Sequence, residues 1–574
     1  MHYNNFNAAV YMPAWVASYI TYEKLAYDYD FLEKYIGLDK VYLETHRDGK
    51  TVDKEQLLMI KNFLESNGVT VSGGITFTLP DQEGEEAKKR IFNNVCYTDP
   101  KMRARVKEIT EYTASFFDEI ILDDFYFTSC TCPNCISLKG ERDWASFRRA
   151  LMKEVSEDLV VGPAKSINPN VKMVIKYPNW RESYHFSGYL PDIQQDIFDA
   201  SYIGTETRSP KYADQHLPEY LSYSIVRYMD NAWPGRNGGG WFDTYSCWSA
   251  DRYLEQAYLT ALAKTPELTL FQWSDLIDNY FAGGMGIEFK KLDFIVGHTG
   301  QPTGIPVYIP YSSSGENHLE MRLGMCGFPM DPTPIFPAGD KTILLTESAS
   351  DDRDIVDKLS DFVINGGEAV ITSGFLRKCQ EQLAQKGLTE ANVTSRKILV
   401  SRYQLTASDS GFIDGSDPII FSEILHYNNV SWSLVNGGDK DYHTPILLMS
   451  LYGKGKIYII NVPDNHSDIY DLPIEVMTQL KKIFNPDDFS SGKDYSVFTY
   501  DDGSFVFYRY VKEPLRPSQV KLYTSKEVSV LLDVISGDMI EAREEIIKED
   551  YTETRYRVAD ITLEPGRYRW LQWK

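Results

Sequence analysis

Cysteine is scarce in this chain, with seven in 574 residues. That number is odd, and far too low for the disulfide frameworks that hold small secreted domains together. Basic side chains are also short: 59 Lys and Arg face 82 Asp and Glu, a formal net charge of −23. This argues against a nucleic-acid partner, because such binding draws most of its affinity from Lys and Arg neutralising phosphates. No stretch reaches the ~18 uninterrupted apolar residues of a membrane span, so no membrane partner is expected. The segment from Ala8 to Ile20 is fairly apolar, but no basic region precedes it and Pro13 interrupts it. It reads as a first strand rather than a signal peptide. The expected location is cytoplasmic, or secreted or periplasmic if a leader has been removed. The chain also lacks a Gly-x-Ser-x-Gly elbow, a phosphate loop and a His-Glu-x-x-His motif. Serine hydrolase, nucleotide and metalloprotease readings therefore have little support, and no organic cofactor is expected.

Aromatic residues are plentiful. The hydrophobic share of 43% can fill real cores, and the 13% aromatic share, with 39 Tyr and 10 Trp, suggests stacking surfaces of the kind that cover the apolar faces of sugars. A prior of ~150 residues per domain, loosened by barrels that reach ~250, gives two to four domains.

The first 300 residues alternate short apolar runs with helical patterns, the signature of stacked βα units. Eight strands are expected: Ala8–Met12, Lys40–Glu44, Val69–Thr76, Glu119–Phe125, Lys172–Tyr177, Ala200–Thr205, a loosely bounded seventh within Ser224–Tyr245, and Leu268–Trp273. Eight such units closing on themselves make a TIM (β/α)8 barrel over residues 1–300, whose catalytic groups gather at the carboxyl ends of the strands. A linker-like passage, Gly300-Gln-Pro-Thr-Gly-Ile-Pro306, then leads to an open α/β domain over 301–486, marked by Thr342–Thr346, a helical pattern at Asp352–Asn365, Ala369–Thr372 and Gly455–Asn461. From 487 to 574 strict alternation dominates and predicts a small C-terminal β-sandwich.

The densest chemistry lies in Glu119-Ile-Ile-Leu-Asp-Asp-Phe-Tyr-Phe-Thr-Ser-Cys-Thr-Cys-Pro-Asn-Cys135, an apolar strand that ends in two carboxylates and runs into three thiols. Cys130, Cys132 and Cys135, with Cys96 as a fourth donor, suit a closed tetrahedral soft-ligand site, for which structural zinc is the first expectation. Free thiols or a disulfide remain the plainer alternatives.

Carboxylates at the expected strand ends are Glu44, Asp123, Asp124 and Glu206, with Asp275 after the eighth strand and Asp243 closing the seventh. Glycoside hydrolysis needs two facing carboxyl groups, one to protonate the leaving oxygen and one to attack or to activate water. The favoured pair is Asp124 and Glu206. Asp123 and Asp124 should point to opposite sides of their strand, one facing the mouth and the other anchoring a loop. Arg208 is expected to orient Glu206, and Lys176 to bond sugar hydroxyls or pair with a neighbouring acid. For any single strand-end Asp, a capping or turn role is the commoner one. Tyr126, Trp180, Trp241 and Trp273 are candidate pocket walls beside Glu44, Asp123 and Asp243. Gly238-Gly-Gly-Trp-Phe-Asp243 reads as a plain turn or as a flexible loop closing over substrate.

These features together resemble the family 42 glycoside hydrolases, β-galactosidases built as a barrel, a flavodoxin- or amidotransferase-like trimerisation domain and a small β-domain. The resemblance covers nearly the whole length. Its most specific motif maps the family's zinc ligands onto Cys96, Cys130, Cys132 and Cys135, and Phe271-Gln-Trp273 is similar to the family's eighth-strand segment. It implies a homotrimer, a glycoside or oligosaccharide substrate and a galactose-like terminal sugar removed in exo fashion. No cysteine nucleophile stands at the end of the strand after Ile371, so the amidotransferase-like domain is expected to be structural. The chain departs from the family where the Asn-Glu pair of strand four is replaced by Asp123-Asp124 and no strand-seven Glu is evident. An Asp on strand four opposite an acid on strand six is instead similar to retaining α-galactosidases, which implies that Asp124 attacks and Glu206 is the acid/base. A rival keeps the family 42 logic, with Asp124 as acid/base and Asp243 as its partner. A second rival is a non-catalytic carbohydrate-binding protein.

Overall fold

A computed structural model describes all residues except 1, 81–89, 280, 407–410, 428–429, 440–441, 513–514 and 550–551. The chain divides into two compact units, Met1–His298 and Thr299–Lys574.

The first unit is a closed barrel of eight parallel strands: β1 (Asn7–Met12), β2 (Lys40–Arg47), β3 (Thr70–Ile75), β4 (Glu119–Leu122), β5 (Lys172–Tyr177), β6 (Ala200–Gly204), β7 (Asn237–Asp243) and β8 (Glu267–Phe271). Closure is direct, because β1 pairs in parallel with both β2 and β8. The strands are buried almost throughout, as expected when helices cover the outer face and side chains fill the inner one. Ala9, Tyr11, Tyr42, Ile121, Val174, Ala200, Tyr202, Trp241 and Phe271 make the barrel interior. Polar side chains at the carboxyl ends of the same strands form the layer above them.

The expected strands fall where the structure has them, within a few residues at each end, and β7 supplies the one correction. The glycine-rich run at 238–243 is neither a turn nor a loop but part of that buried strand. A Cβ on Gly240 would sit 2.3 Å from the Thr260 methyl, and one on Gly239 would meet the Tyr202 hydroxyl at 2.4 Å. Only glycine lets this strand lie so close to its neighbours.

The second unit is rich in sheet. Five parallel strands, in the order Met330–Thr333, Ile305–Tyr308, Thr342–Leu345, Glu368–Thr372 and Gly455–Ile460, continue into four antiparallel ones, His443–Tyr452, Ser431–Gly438, Asn392–Leu405 and Phe412–Leu425. The βαβ element read from sequence is present as Thr342–Leu345, the helix Ile355–Ile364 and Glu368–Thr372. After residue 487 two antiparallel sheets pack face to face around Val497, Phe507, Val520, Leu522, Leu531 and Ile561. The short strand Pro302–Thr303 joins the first of these sheets by pairing with Thr499 and Tyr500. No helix among the described residues is long and apolar enough to cross a membrane.

Candidate active site

The strand ends place one ammonium group among three carboxylates. Lys176, the penultimate residue of β5, is only 2% exposed. Its Nζ lies 2.7 Å from Asp124 Oδ2, 2.9 Å from Glu206 Oε1 and 3.5 Å from Asp123 Oδ1, and it sits 4.3 Å above the Trp241 ring. Because β4 ends at Leu122, Asp123 and Asp124 lie past the strand and its two-sided alternation no longer separates them. Both therefore converge on Lys176, where the sequence suggested opposite sides.

Two further charges extend the network. Arg47, at the end of β2, donates from Nη2 to Asp123 Oδ2 at 2.6 Å and from Nε to both Glu44 oxygens at 3.0 Å. Glu44 is fully enclosed and also accepts from the Tyr11 hydroxyl at 2.8 Å, from the Ala14 amide at 2.6 Å and from Thr76 Oγ1. It is a base plate for Arg47 rather than a group open to a ligand. Arg208, held at φ 57°, does not orient Glu206. Its guanidinium grips Asp243 in bidentate fashion at 3.0 and 2.7 Å, and the Tyr245 amide adds a third bond to that carboxylate at 3.2 Å.

This inner network sets four carboxylates (Glu44, Asp123, Asp124 and Glu206) against two cations (Arg47 and Lys176), and the imbalance falls on Asp124. Burial, together with the Asp123 and Glu206 charges, pushes its carboxyl up to about 7 despite the Lys176 ammonium. Burial would raise Asp123 as well, but Lys176 and Arg47 outweigh it and hold that carboxyl low. Asp124 is the most accessible acid of the set at 23% exposure, whereas Glu206 is 5% exposed. Glu206 Oε2 is buried and accepts no hydrogen bond among the described residues, an arrangement costly enough to ask for a function. The carboxylate folds back over Gly204, where any Cβ would stand 2.5 Å from Oε2.

The remaining candidates divide. Trp241 stacks on Phe271 at 5.4 Å beneath the network. Trp180 packs edge-on against Phe127 and Tyr189, and the Tyr189 hydroxyl donates to the Asp124 carbonyl at 2.7 Å. Tyr126 and Trp273 do not line the mouth: both are fully buried, with Tyr126 bonded to Ser156 and the Trp273 indole to Asp28. Large apolar bodies there fill the layer between barrel and helices. Arg47 was not singled out by sequence, although its position three residues after Glu44 on one strand end was a signal. Trp15 and Tyr245 stand at the rim, in contact with Phe271.

Beside the mouth, Cys96, Cys130, Cys132 and Cys135 bring their four sulfurs within 4.8 Å of one another, a set able to hold a metal ion. None of the seven cysteines is in a disulfide. The cluster ties the chain leaving Asp124 to the segment around Thr98, whose carbonyl accepts from Asn134 Nδ2 at 2.9 Å.

Comparison with known proteins decides the family. Residues 1–291 match the model of the probable glycosyl hydrolase catalytic domain. The chain belongs to that family. Membership implies a carbohydrate substrate and supports glycoside hydrolase activity. Residues 300–465 match the second domain of the uncharacterized protein SSO3021. That protein, from Saccharolobus solfataricus, is 26% identical over 513 residues, covering 80% of this chain and 82% of its own. The fold of the whole chain is similar to that of a β-galactosidase from Bacillus circulans sp. alkalophilus (TM-score 0.63, 11% identity, 100% of both chains). It is also similar to a catalytic mutant of Gan42B, a GH42 β-galactosidase from G. stearothermophilus (TM-score 0.64, 12% identity, 100% of this chain and 99% of that one). The exo-β-1,4-mannosidase Op5Man5 from Opitutaceae bacterium strain TAV5 aligns over 83% of this chain and 94% of its own, with TM-score 0.52 and 12% identity. The architectural resemblance to family 42 is thus borne out.

Proposed function

We propose that the chain is an exo-acting retaining glycoside hydrolase in which Asp124 and Glu206 are the two working carboxyl groups. The observation that carries this reading is the shared ammonium. Asp124 Oδ2 and Glu206 Oε1 both lie within hydrogen-bond reach of Lys176 Nζ, so they are under about 6 Å apart. Retaining pairs stand ~5–5.5 Å apart and inverting pairs ~6.5–9.5 Å. The roles we favour are exchanged relative to the sequence expectation. A carboxyl raised to about 7 suits the group that donates a proton to the leaving oxygen. Glu206, with one oxygen on Lys176 and the other accepting no hydrogen bond among the described residues, suits the nucleophile that forms the glycosyl-enzyme. Lys176 stands between the two carboxyl groups. Asp243 fits a catalytic role less well, since Arg208 occupies both of its oxygens. The acidic mouth also favours the positive charge of an oxocarbenium-like transition state.

A galactose-like terminal sugar is the substrate class this reading takes, from the β-galactosidases and the exo-mannosidase of similar fold. Zinc is the metal for the cysteine set. A tetrahedral zinc with Zn–S near 2.3 Å has S···S edges of ~3.8 Å, and Cys96 Sγ lies 3.8 Å from Cys132 Sγ and 3.7 Å from Cys135 Sγ. It would be structural, with the chain assembling as a homotrimer. The test is hydrolysis of a panel of aryl α- and β-glycosides of galactose, mannose and glucose by the parent, Asp124→Asn and Glu206→Gln. Both variants should lose activity by at least ~100-fold while remaining folded. Full activity in either would refute the pairing.

A further inference from the structure

The rim on the Asp124 side carries an apolar ring that the packing of the barrel does not use. Phe92 is 69% exposed and is held at φ 51° and ψ 33°, with Asn93 beside it at φ 54°. Left-handed backbone is costly for a bulky residue, whereas glycine adopts it freely. The flanking residues impose this conformation. Asn94 is fully enclosed, bridges to Thr78, and donates from Nδ2 to Ser129 Oγ at 3.2 Å. The Asn93 carbonyl accepts from the Leu79 amide at 2.8 Å, and Arg90 donates to the Leu79 and Asn94 carbonyls. Both sides of the turn are thus tied down, and the Phe92 ring is left standing in solvent.

One neighbour connects that ring to the carboxylates. Phe92 meets Phe125 edge-on, with 90° between the planes and 5.8 Å between the centroids, and Phe125 directly follows Asp124 in the chain. The Arg47 guanidinium lies 5.7 Å from the Phe125 ring and 5.2 Å from the Trp15 ring, while its Nη2 holds Asp123. Trp15, Arg47, Phe125 and Phe92 therefore make a continuous row, tied to the carboxylate network through Arg47 and ending in an exposed ring. The side on which this row lies has a consequence for substrate choice. An acid/base bonds the oxygen that leaves, so the departing group sits on the acid's side of the scissile bond. With Asp124 in that role, the departing group comes against Phe125 and Phe92, which offer it apolar surface and no charge.

We propose that Phe92 and Phe125 form the leaving-group subsite, selecting glycosides whose departing group has a flat apolar face, either an aryl ring or the C–H face of a second sugar. This rests on the reading of Asp124 as acid/base. The test measures calorimetric binding of sulfur-linked galactosides and mannosides, which resist hydrolysis, to the full-length parent, Phe92→Gly and Phe92→Trp. Each sugar is presented with a methyl, a phenyl and a second sugar ring as its sulfur substituent. Phe92→Gly relieves the left-handed strain, so it should melt no lower than the parent, and lost affinity there is not lost fold. In the parent and in Phe92→Trp, the phenyl or the two-ring ligand should bind roughly three- to tenfold more tightly than the methyl one. That preference should vanish in Phe92→Gly, and the ligand that loses more identifies the departing group as aryl or sugar. A preference that survives Phe92→Gly, or no binding by any of these ligands, would overturn the subsite. Full activity in Asp124→Asn would overturn the catalytic reading instead, and it would leave the binding preference as measured.

Discussion

The two ends of the barrel each bury a lysine among carboxylates, and the difference between them separates stability from chemistry. At the floor, Lys40 meets Glu267 at 3.3 Å and also pairs with Glu119, while Lys172 holds the other Glu119 oxygen at 2.9 Å. Tyr42 and Tyr202 complete the set by donating to Glu267 at 2.6 and 3.0 Å. Two cations thus face two acids, and although burial opposes it, Lys40 and Lys172 hold the Glu119 carboxyl down to about 2. At the mouth two cations, Lys176 and Arg47, face four acids, the Asp124 carboxyl rises to about 7 and Glu206 Oε2 accepts no hydrogen bond among the described residues. A satisfied network locks a fold, whereas an under-compensated one stores the electrostatics that catalysis uses. The floor follows the first pattern and, on the proposed reading, the mouth follows the second, as the barrel fold generally arranges its two faces.

The largest effect expected from breaking this contrast is at the mouth. Asp124→Asn and Glu206→Gln should each lower kcat/KM by ~10²–10⁴ with little change in melting temperature. The floor should behave in the opposite way. Lys40→Met leaves two buried acids short of a partner and should cost about 3–5 kcal/mol of stability in denaturant titration, with kcat per folded molecule unchanged. Equal losses of activity from Lys40→Met and Lys176→Met would erase the distinction.

The pH dependence sharpens it with opposite signs. Asp124 binds its proton more tightly folded than unfolded, so its contribution to stability is full below about 4 and is lost as pH rises through about 7. Glu119 binds its proton less tightly folded, so its contribution is present above about 4.5 and is lost as pH falls towards 2. Asp124→Asn should therefore stabilise the protein at pH 8 relative to pH 4, whereas Glu119→Gln should destabilise it at neutral pH. In activity, kcat/KM should fall on the alkaline side with an apparent pKa near 7, and that limb should be absent from Asp124→Asn. Metal removal should touch only one end. A chelator, or Cys132→Ala, should loosen the segment running from Asp124 to the cysteine set and lower activity before global unfolding, with one zinc per chain lost by elemental analysis. Trp15→Ala, at the rim, should do least, raising KM a few-fold through lost ring contact.

Much of this arrangement was legible in the sequence. Periodicity placed the eight strands, and the cysteine spacing brought four sulfurs together. The rule that barrel chemistry sits at strand ends selected Asp124, Lys176 and Glu206, which the structure joins in one network. What escaped depended on contacts between strands. Arg47 is ordinary in sequence and gains its role only because β2 and β4 end at the same level. Arg208 could be placed near an acid, but not on Asp243 rather than Glu206, because that choice turns on a positive-φ backbone. The glycine run at 238–240 looks like a turn until Tyr202 and Thr260 are seen to need the space. The long antiparallel strands from Asn392 to Tyr452 also went unread, since half-exposed strands carry a weaker pattern than buried parallel ones.

The central claim, that Asp124 and Glu206 work as a retaining pair with Asp124 as acid/base, is tested most directly by azide rescue of Asp124→Asn on a dinitrophenyl glycoside that the parent cleaves. Such a leaving group needs no proton, so the glycosyl-enzyme should form rapidly and then wait. Added azide should accelerate turnover and yield a glycosyl azide with the configuration of the substrate, visible by NMR. An azide of inverted configuration would make Asp124 the nucleophile, and full parental turnover with no azide product would remove Asp124 from the chemistry altogether.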